Sequence, residues 1–216
     1  MSGTCLILGA GPKLGLSLAR RFGHAGHPVA LSARTPDPLR ALVDELAAAG
    51  ITAAGYPADL GDPADVASVV ARARDELGPI EVLVYNAAAL GVRATPSTLP
   101  VALFEQTMRV NVVGALVAVQ LCLSDLDGHG TVLFTGGSYA QRPSAEHCAI
   151  GMGKAALRNL TFSLDEELRP RGIHVAMVTI TGVIAAGTRF DPDALAEVFL
   201  NVHRQPRHLW ETEILC

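Results

Sequence analysis

The chain has 216 residues, half of them hydrophobic and 18% charged, with a formal net charge of −4 and a pI near 5.9. A chain of this length buries a substantial core as one domain, and its acidic balance leaves no basic footprint, which argues against a nucleic-acid partner. The longest apolar run, 110–123, is interrupted by Asn111 and Gln120 and falls short of the roughly 20 residues a membrane span needs, so no membrane association is expected.

From the N-terminus, Met1, Ser2 and Gly3 lead straight into an apolar strand at 4–8, with no signal peptide in between. The strand runs into Gly9-Ala10-Gly11-Pro12-Lys13-Leu14-Gly15, and an amphipathic helix follows over 14–25. Strand, glycine turn and helix together suit a pyrophosphate. Glycines let the backbone approach it, and the helix N-terminus offers unpaired N–H groups and the positive end of its dipole. Further strands are predicted at 28–32, 51–56, 80–85, 131–135 and 173–179, and helices at 38–49, 63–77, 100–123 and 146–168. Asp62-Pro63 and Asp191-Pro192 read as an N-cap followed by a first-turn proline, and Gly50, Gly78 and Gly172 stand where helices stop. The tail, 191–216, reads as a final helix and then a short strand over 208–215. The strands are nearly continuous in Val, Ile, Leu and Ala, as expected for strands buried on both faces. The alternation predicts a single α/β domain over 1–216: a Rossmann-like doubly wound parallel sheet in three layers (α/β/α). Ligand would sit at the carboxyl ends of the strands, with a substrate pocket formed by the C-terminal segments. Cys5, Cys122, Cys148 and Cys216 show neither metal nor redox spacing and read as free thiols in a reducing cytoplasm; no metal site is expected.

After the second strand, a chain that prefers NAD usually carries an acid for the ribose 2′-hydroxyl. Here Arg34 follows Ala33, and no carboxylate appears before Asp37. A guanidinium suits a 2′-phosphate because it bonds it bidentately, and Lys13 in the glycine loop adds a second positive charge. NADP is therefore the expected cofactor, with NAD possible.

With these residues in view, the chain resembles the short-chain dehydrogenase/reductase family over about residues 4–190. Gly9, Gly11 and Gly15 are similar to its TGxxxGxG loop. Asp59-Leu60 resembles the acidic dipeptide that touches the adenine, and Asn86-Ala87-Ala88 the NAG motif that lies against the cofactor. Asn111, in RVNVVGAL, matches the asparagine that organises a proton-relay water. Ser138 lies near the catalytic serine, Lys154 in GKAALRNLT matches the lysine of YxxxK, and Thr181-Gly182 stands for the PG motif. The resemblance implies a nicotinamide-dependent oxidoreductase. It also implies a homodimer or homotetramer, because the equivalents of helices 100–123 and 146–168 pair between subunits in that family. The chain departs from the pattern at four places. Ile150 stands where the YxxxK tyrosine belongs, Lys13 replaces the loop's second glycine, Leu8 replaces its leading threonine, and the serine falls at Gly137 unless one residue is slipped.

In that family the tyrosine gives the carbonyl its proton. Losing a positioned general acid costs about 10²–10⁴ in rate, about 3–6 kcal/mol of barrier. His147, three residues before Ile150 and seven before Lys154, comes to the same helix side and titrates in a useful range; the plainer reading is a surface histidine. Tyr139, beside Ser138, is a second candidate acid or a packed aromatic. Tyr85 reads as core and Glu146 as a helix-start carboxylate. Asp165-Glu166-Glu167 with Arg169 and Arg171, and Arg72, Arg74, Asp75 and Glu76, read as solvated helix faces. Three functions remain open: an oxidoreductase of small carbonyls or alcohols with a non-standard acid; a nucleotide-binding sensor or partner without turnover; and a non-redox enzyme that uses Ser138, Tyr139, His147 and Lys154 for proton transfer, as in dehydration or cyclisation.

Overall fold

A computed structural model describes residues 2–216. Its strands are β1 (Thr4–Leu8), β2 (Val29–Ala33), β3 (Ala53–Pro57), β4 (Ile80–Tyr85), β5 (Thr131–Gly137), β6 (His174–Ile180) and β7 (Glu213–Leu215). They form one sheet in the order β3-β2-β1-β4-β5-β6-β7, every pair parallel. The chain builds outward from β1 to β3, then returns to lay β4 on the other side of β1. That reversal opens a crevice at the carboxyl ends of β1 and β4.

The helices are α1 (Leu14–His24), α2 (Pro36–Ala48), α3 (Pro63–Leu77), α4 (Val101–Met108), α5 (Gly114–Leu126), α6 (Cys148–Leu168) and α7 (Pro192–His203). The period-two alternation of the strands sorts the core into two layers. Leu6, Leu8, Leu83, Tyr85, Val132 and Phe134 pack with α3, α5 and α6. Cys5, Ile7, Val82, Val84 and Leu133 pack with α1, α2 and α7. This is the expected Rossmann-like three-layer domain.

Two of the predicted caps are made by side chains: Asp62 accepts from Ala64 N at 2.9 Å, and Asp191 from Asp193 N at 2.9 Å. Gly50 and Gly78 follow the ends of α2 and α3 at φ of +75° and +93°, whereas α6 stops at Leu168 and Gly172, at φ +76°, closes the turn beyond it. Three expectations need correction. The 100–123 helix is α4, a π turn at Arg109–Val113 and then α5, a continuous stretch Val101–Leu126 of 26 residues that contains an 18-residue window of mean hydropathy 1.5. Its length and composition would let it cross a bilayer, unlike the shorter run read from the sequence. Instead, Ala115, Ala118, Val119, Cys122 and Leu126 are buried against the sheet and α3. The strand expected over 208–215 shrinks to β7, preceded by a 3₁₀ turn at Arg207–Leu209. Glu213 holds this edge through Arg158 (2.6–3.0 Å) and Thr179 Oγ1 (2.7 Å), and Trp210 stacks on His174 at 4.7 Å. Finally, the charge runs are not all solvated. Arg74 bonds Asp125 at 2.8 Å and the Leu121 carbonyl, joining α3 to α5. Asp165 takes Arg169 and, at 2.8 Å, Thr212 Oγ1, which fastens the C-terminal segment to α6.

Candidate active site

The site begins where β1 turns. Gly9 adopts φ +95°, and a Cβ there would run into the backbone nitrogen of Ala87, so only glycine lets β1 and β4 end this close together. Asn86 N and Ala87 N both donate to Leu8 O at 2.8 and 2.9 Å. Asn86 Nδ2 donates to Gly9 O at 2.8 Å, Thr135 Oγ1 donates to Asn86 Oδ1 at 2.8 Å, and Lys154 Nζ donates to Thr135 O at 2.6 Å. One run of hydrogen bonds thus links the glycine loop, β4, β5 and α6. Gly15 lets α1 close onto the loop, since a Cβ there would stand 2.9 Å from Ala10 Cα. At Gly11 the same test meets no heavy atom within 4 Å, so the loop presents an open backbone edge.

That edge borders a cleft of ≈ 730 Å³. Gly9, Gly11, Lys13, Leu14, Gly15 and Asn86 form one wall, Ser138, Tyr139, His147, Ile150 and Lys154 the other, and Gly182 and Ile184 lie at its mouth. A second hollow of ≈ 810 Å³ adjoins it, sharing Ala88 and Leu90, and is lined by Arg34, Asp59, Asp62 and Arg109 among others.

Lys154 is only 7% exposed, and burial lowers its pKa to about 8. Ile150, one turn earlier, is buried in the same wall. A Cβ at Gly137 would lie 4.0 Å from Lys154 Cγ, so Gly137 is the residue turned toward the lysine, whereas Ser138 begins a 3₁₀ turn at the cleft wall. Gly137 and Ser138 both line the cleft that Lys154 lines. Tyr139 and His147 both reach the cleft and stack on each other, 5.0 Å between centroids at 12°. His147 Nδ1 meets Ser144 Oγ at 3.2 Å. Glu146 is exposed, lies ahead of α6 and pairs with Arg93, whose hydrogen bond holds its pKa down; it starts no helix. Tyr85 is core, its hydroxyl donating to Val110 O at 2.5 Å, and burial raises its pKa.

Four further expected site residues take the following places. Asn111 is buried in the π turn with both ends of its amide engaged by Ala89: Oδ1 accepts from Ala89 N at 2.7 Å and Nδ2 donates to Ala89 O at 3.0 Å. Its side chain fixes the segment after β4 and lines neither hollow. Leu60 is in the core, its carbonyl pressed against Gly114, and Ala87 lies behind Gly9; they shape the walls without lining them. Lys13 reaches the Ile184 carbonyl (3.5 Å) across the cleft that holds Lys154, while Arg34 lines the other hollow. The two cations thus line adjoining hollows. Arg109 and Thr135 were missed. Thr135 was legible in principle as the polar residue ending an apolar strand in LFTGG; Arg109 carried no local signal.

A family model described as short chain dehydrogenase matches residues 3–192. The chain is 28% identical over 181 residues to the 7alpha-hydroxysteroid dehydrogenase of Escherichia coli (strain K12), covering 80% of this chain and 70% of that protein. It is 31% identical over 176 residues to the 2,3-dihydro-2,3-dihydroxybenzoate dehydrogenase of Bacillus subtilis (strain 168), covering 80% and 67%. Among solved structures, a metagenomic short-chain oxidoreductase in complex with NADP is similar with a TM-score of 0.90 and 25% identity, over 99% of this chain and 96% of that one.

Proposed function

The chain belongs to the short-chain dehydrogenase family, and from that premise we propose that it is an oxidoreductase that binds NADP in preference to NAD and acts on a small carbonyl or alcohol. The observation that carries this reading is the hydrogen-bonded run from Gly9 through Asn86 and Thr135 to Lys154, which ties the loop suited to a pyrophosphate to the lysine of the cleft. The residues present fit such a dinucleotide. Gly11 leaves open backbone for phosphate oxygens, and Arg34 offers a guanidinium beyond β2. When bound, the nicotinamide supplies or accepts a hydride. Lys154, positively charged below about pH 8, would hold the ribose hydroxyls of the bound nucleotide. Tyr139 and His147 are the groups of the cleft that can give or take the proton, a task closed to Ile150.

Ile150 and Gly137 also favour a second reading, nucleotide binding without turnover, because the two hydroxyls nearest the lysine in the family pattern are both missing. The exposed apolar side chains Leu116, Met152 and Phe162 on α5 and α6 support assembly with a second copy of the chain, and the four free cysteines support a reducing cytoplasm.

Calorimetric titration with NADPH and NADH tests the proposal. NADPH is expected to bind at least about tenfold tighter, roughly 1.4 kcal/mol. Hydride transfer is then followed at the nicotinamide absorbance with small ketones. Binding without any transfer would select the second reading, and no binding of either nucleotide would overturn both.

A further inference from the structure

The hollow beside the cleft holds an unexpected pairing of charges. Arg34 reaches it from the end of β2 and Arg109 from the π turn, elements far apart in sequence. Among the described residues neither guanidinium has an ion-pair or hydrogen-bonded partner, whereas Arg20, Arg21, Arg74 and Arg158 are each matched to a carboxylate. The hollow does contain carboxylates, but each spends an oxygen on the backbone beside it. Asp59 Oδ1 accepts from Gly61 N at 2.9 Å, and Asp62 Oδ1 accepts from Ala64 N to cap α3. Two guanidinium groups thus line one hollow without forming an ion pair with its carboxylates.

The backbone prepares Arg109 for this place. A Cβ at Gly61 would come within 3.5 Å of Arg109 Cβ and within 3.3 Å of Asp59 Oδ1, so the bare glycine lets the arginine stem lie beside the Asp59 turn. Two residues further along the π turn, Asn111 is bonded twice to Ala89, and Ala88 and Ala89 line the same hollow. The turn that carries Arg109 is therefore fastened to the cavity wall, which lowers the ordering cost of engaging an anion.

We propose that Arg109 is a specificity-determining residue: with Arg34 it forms a two-guanidinium seat for the 2′-phosphate of NADP. This deepens the cofactor reading above and rests on it. A 2′-phosphate is a compact dianion, and two forked donors from separate elements satisfy its oxygens better than one.

The test is calorimetry of NADPH and NADH with the wild type, Arg34→Gln, Arg109→Gln, the double variant and Arg109→Lys. Arg109 is exposed, so the variants are expected to melt like the wild type. Arg109→Gln should weaken NADPH about tenfold and NADH less than about twofold, with Arg109→Lys between. The double variant should lose less than the product of the single losses, because both side chains hold one phosphate. Equal weakening of both nucleotides by Arg109→Gln would overturn the proposal and give Arg109 to the adenine or to packing; an unchanged NADPH:NADH ratio would overturn it too. In either case dinucleotide binding itself would stand. A wild type that binds neither nucleotide would overturn this proposal together with the reading it rests on.

Discussion

Two small changes around Lys154 decide what this cleft can do. The ammonium is buried with a backbone carbonyl as its hydrogen-bond acceptor and no anion to offset desolvation, which is why its pKa falls to about 8. At Ile150 and Gly137 the wall offers hydrocarbon and bare backbone. Placing a phenol and a hydroxyl there, Ile150→Tyr with Gly137→Ser, is expected to raise NADPH-dependent ketone reduction by about 10²–10⁴, the usual worth of a positioned general acid. The assay is nicotinamide oxidation against a panel of small ketones. A double variant no faster than the wild type would mean that Tyr139 or His147 already supplies the proton. The departure at Ile150 was plain in the sequence, because it sits at a fixed offset from Lys154. Gly137 was legible in the same way, as the place the ungapped count gives to the family's serine.

Among the elements, α7 is held at both ends. Near its start Ser17 of α1 donates to Asp193 at 2.6 Å. At its last residue the ring of His203 lies 5.3 Å from that of His27 and 5.9 Å from that of Phe22, with Thr131 Oγ1 at 2.9 Å and Glu81 at 4.0 Å. Burial, then His27, lowers the His203 pKa to about 4. Arg204 and His174 push the same way, and Glu81 opposes them. The unfolded chain takes up this proton below about pH 6.5, whereas the folded protein resists until about pH 4. The stability tied to His203 is therefore intact above about 6.5 and is lost as pH falls toward 4, to the extent of about 3 kcal/mol. Melting temperatures across pH 7.5 to 4.5 should fall, and His203→Gln should flatten the fall. An unchanged slope in that variant would place the acid sensitivity elsewhere. Most elements were legible from apolar runs and cap residues. The π turn was not, because no proline or glycine falls within Arg109–Val113 to interrupt the helical pattern. The short β7 was overread, because its place is set by Arg158 and Thr179 holding Glu213 rather than by its own sequence.

For the molecule as a whole, what the sequence concealed is what only folding brings together. The glycine loop, Arg34 and Lys154 lie in recognisable local strings. The hollow shared by Arg34 and Arg109, and the bridge Thr135 makes between Asn86 and Lys154, exist only once the strands are side by side. That has a kinetic consequence. An all-parallel sheet has no hairpin to start from, and the site is closed by contacts spanning 77, 49 and 19 residues of chain. Loop-closure entropy must be overcome before any of them forms, so refolding from denaturant is expected on the millisecond-to-second scale rather than in microseconds. The protein carries its own reporter. Trp210, the single tryptophan, is stacked on His174 at the β7 edge of the sheet, and α6 bears both Arg158, which holds that edge, and, one turn away, Lys154. In stopped-flow refolding the Trp210 signal and nucleotide affinity should therefore return in one phase. Affinity that returned first would mean that the nucleotide cleft matures independently of the β7 edge.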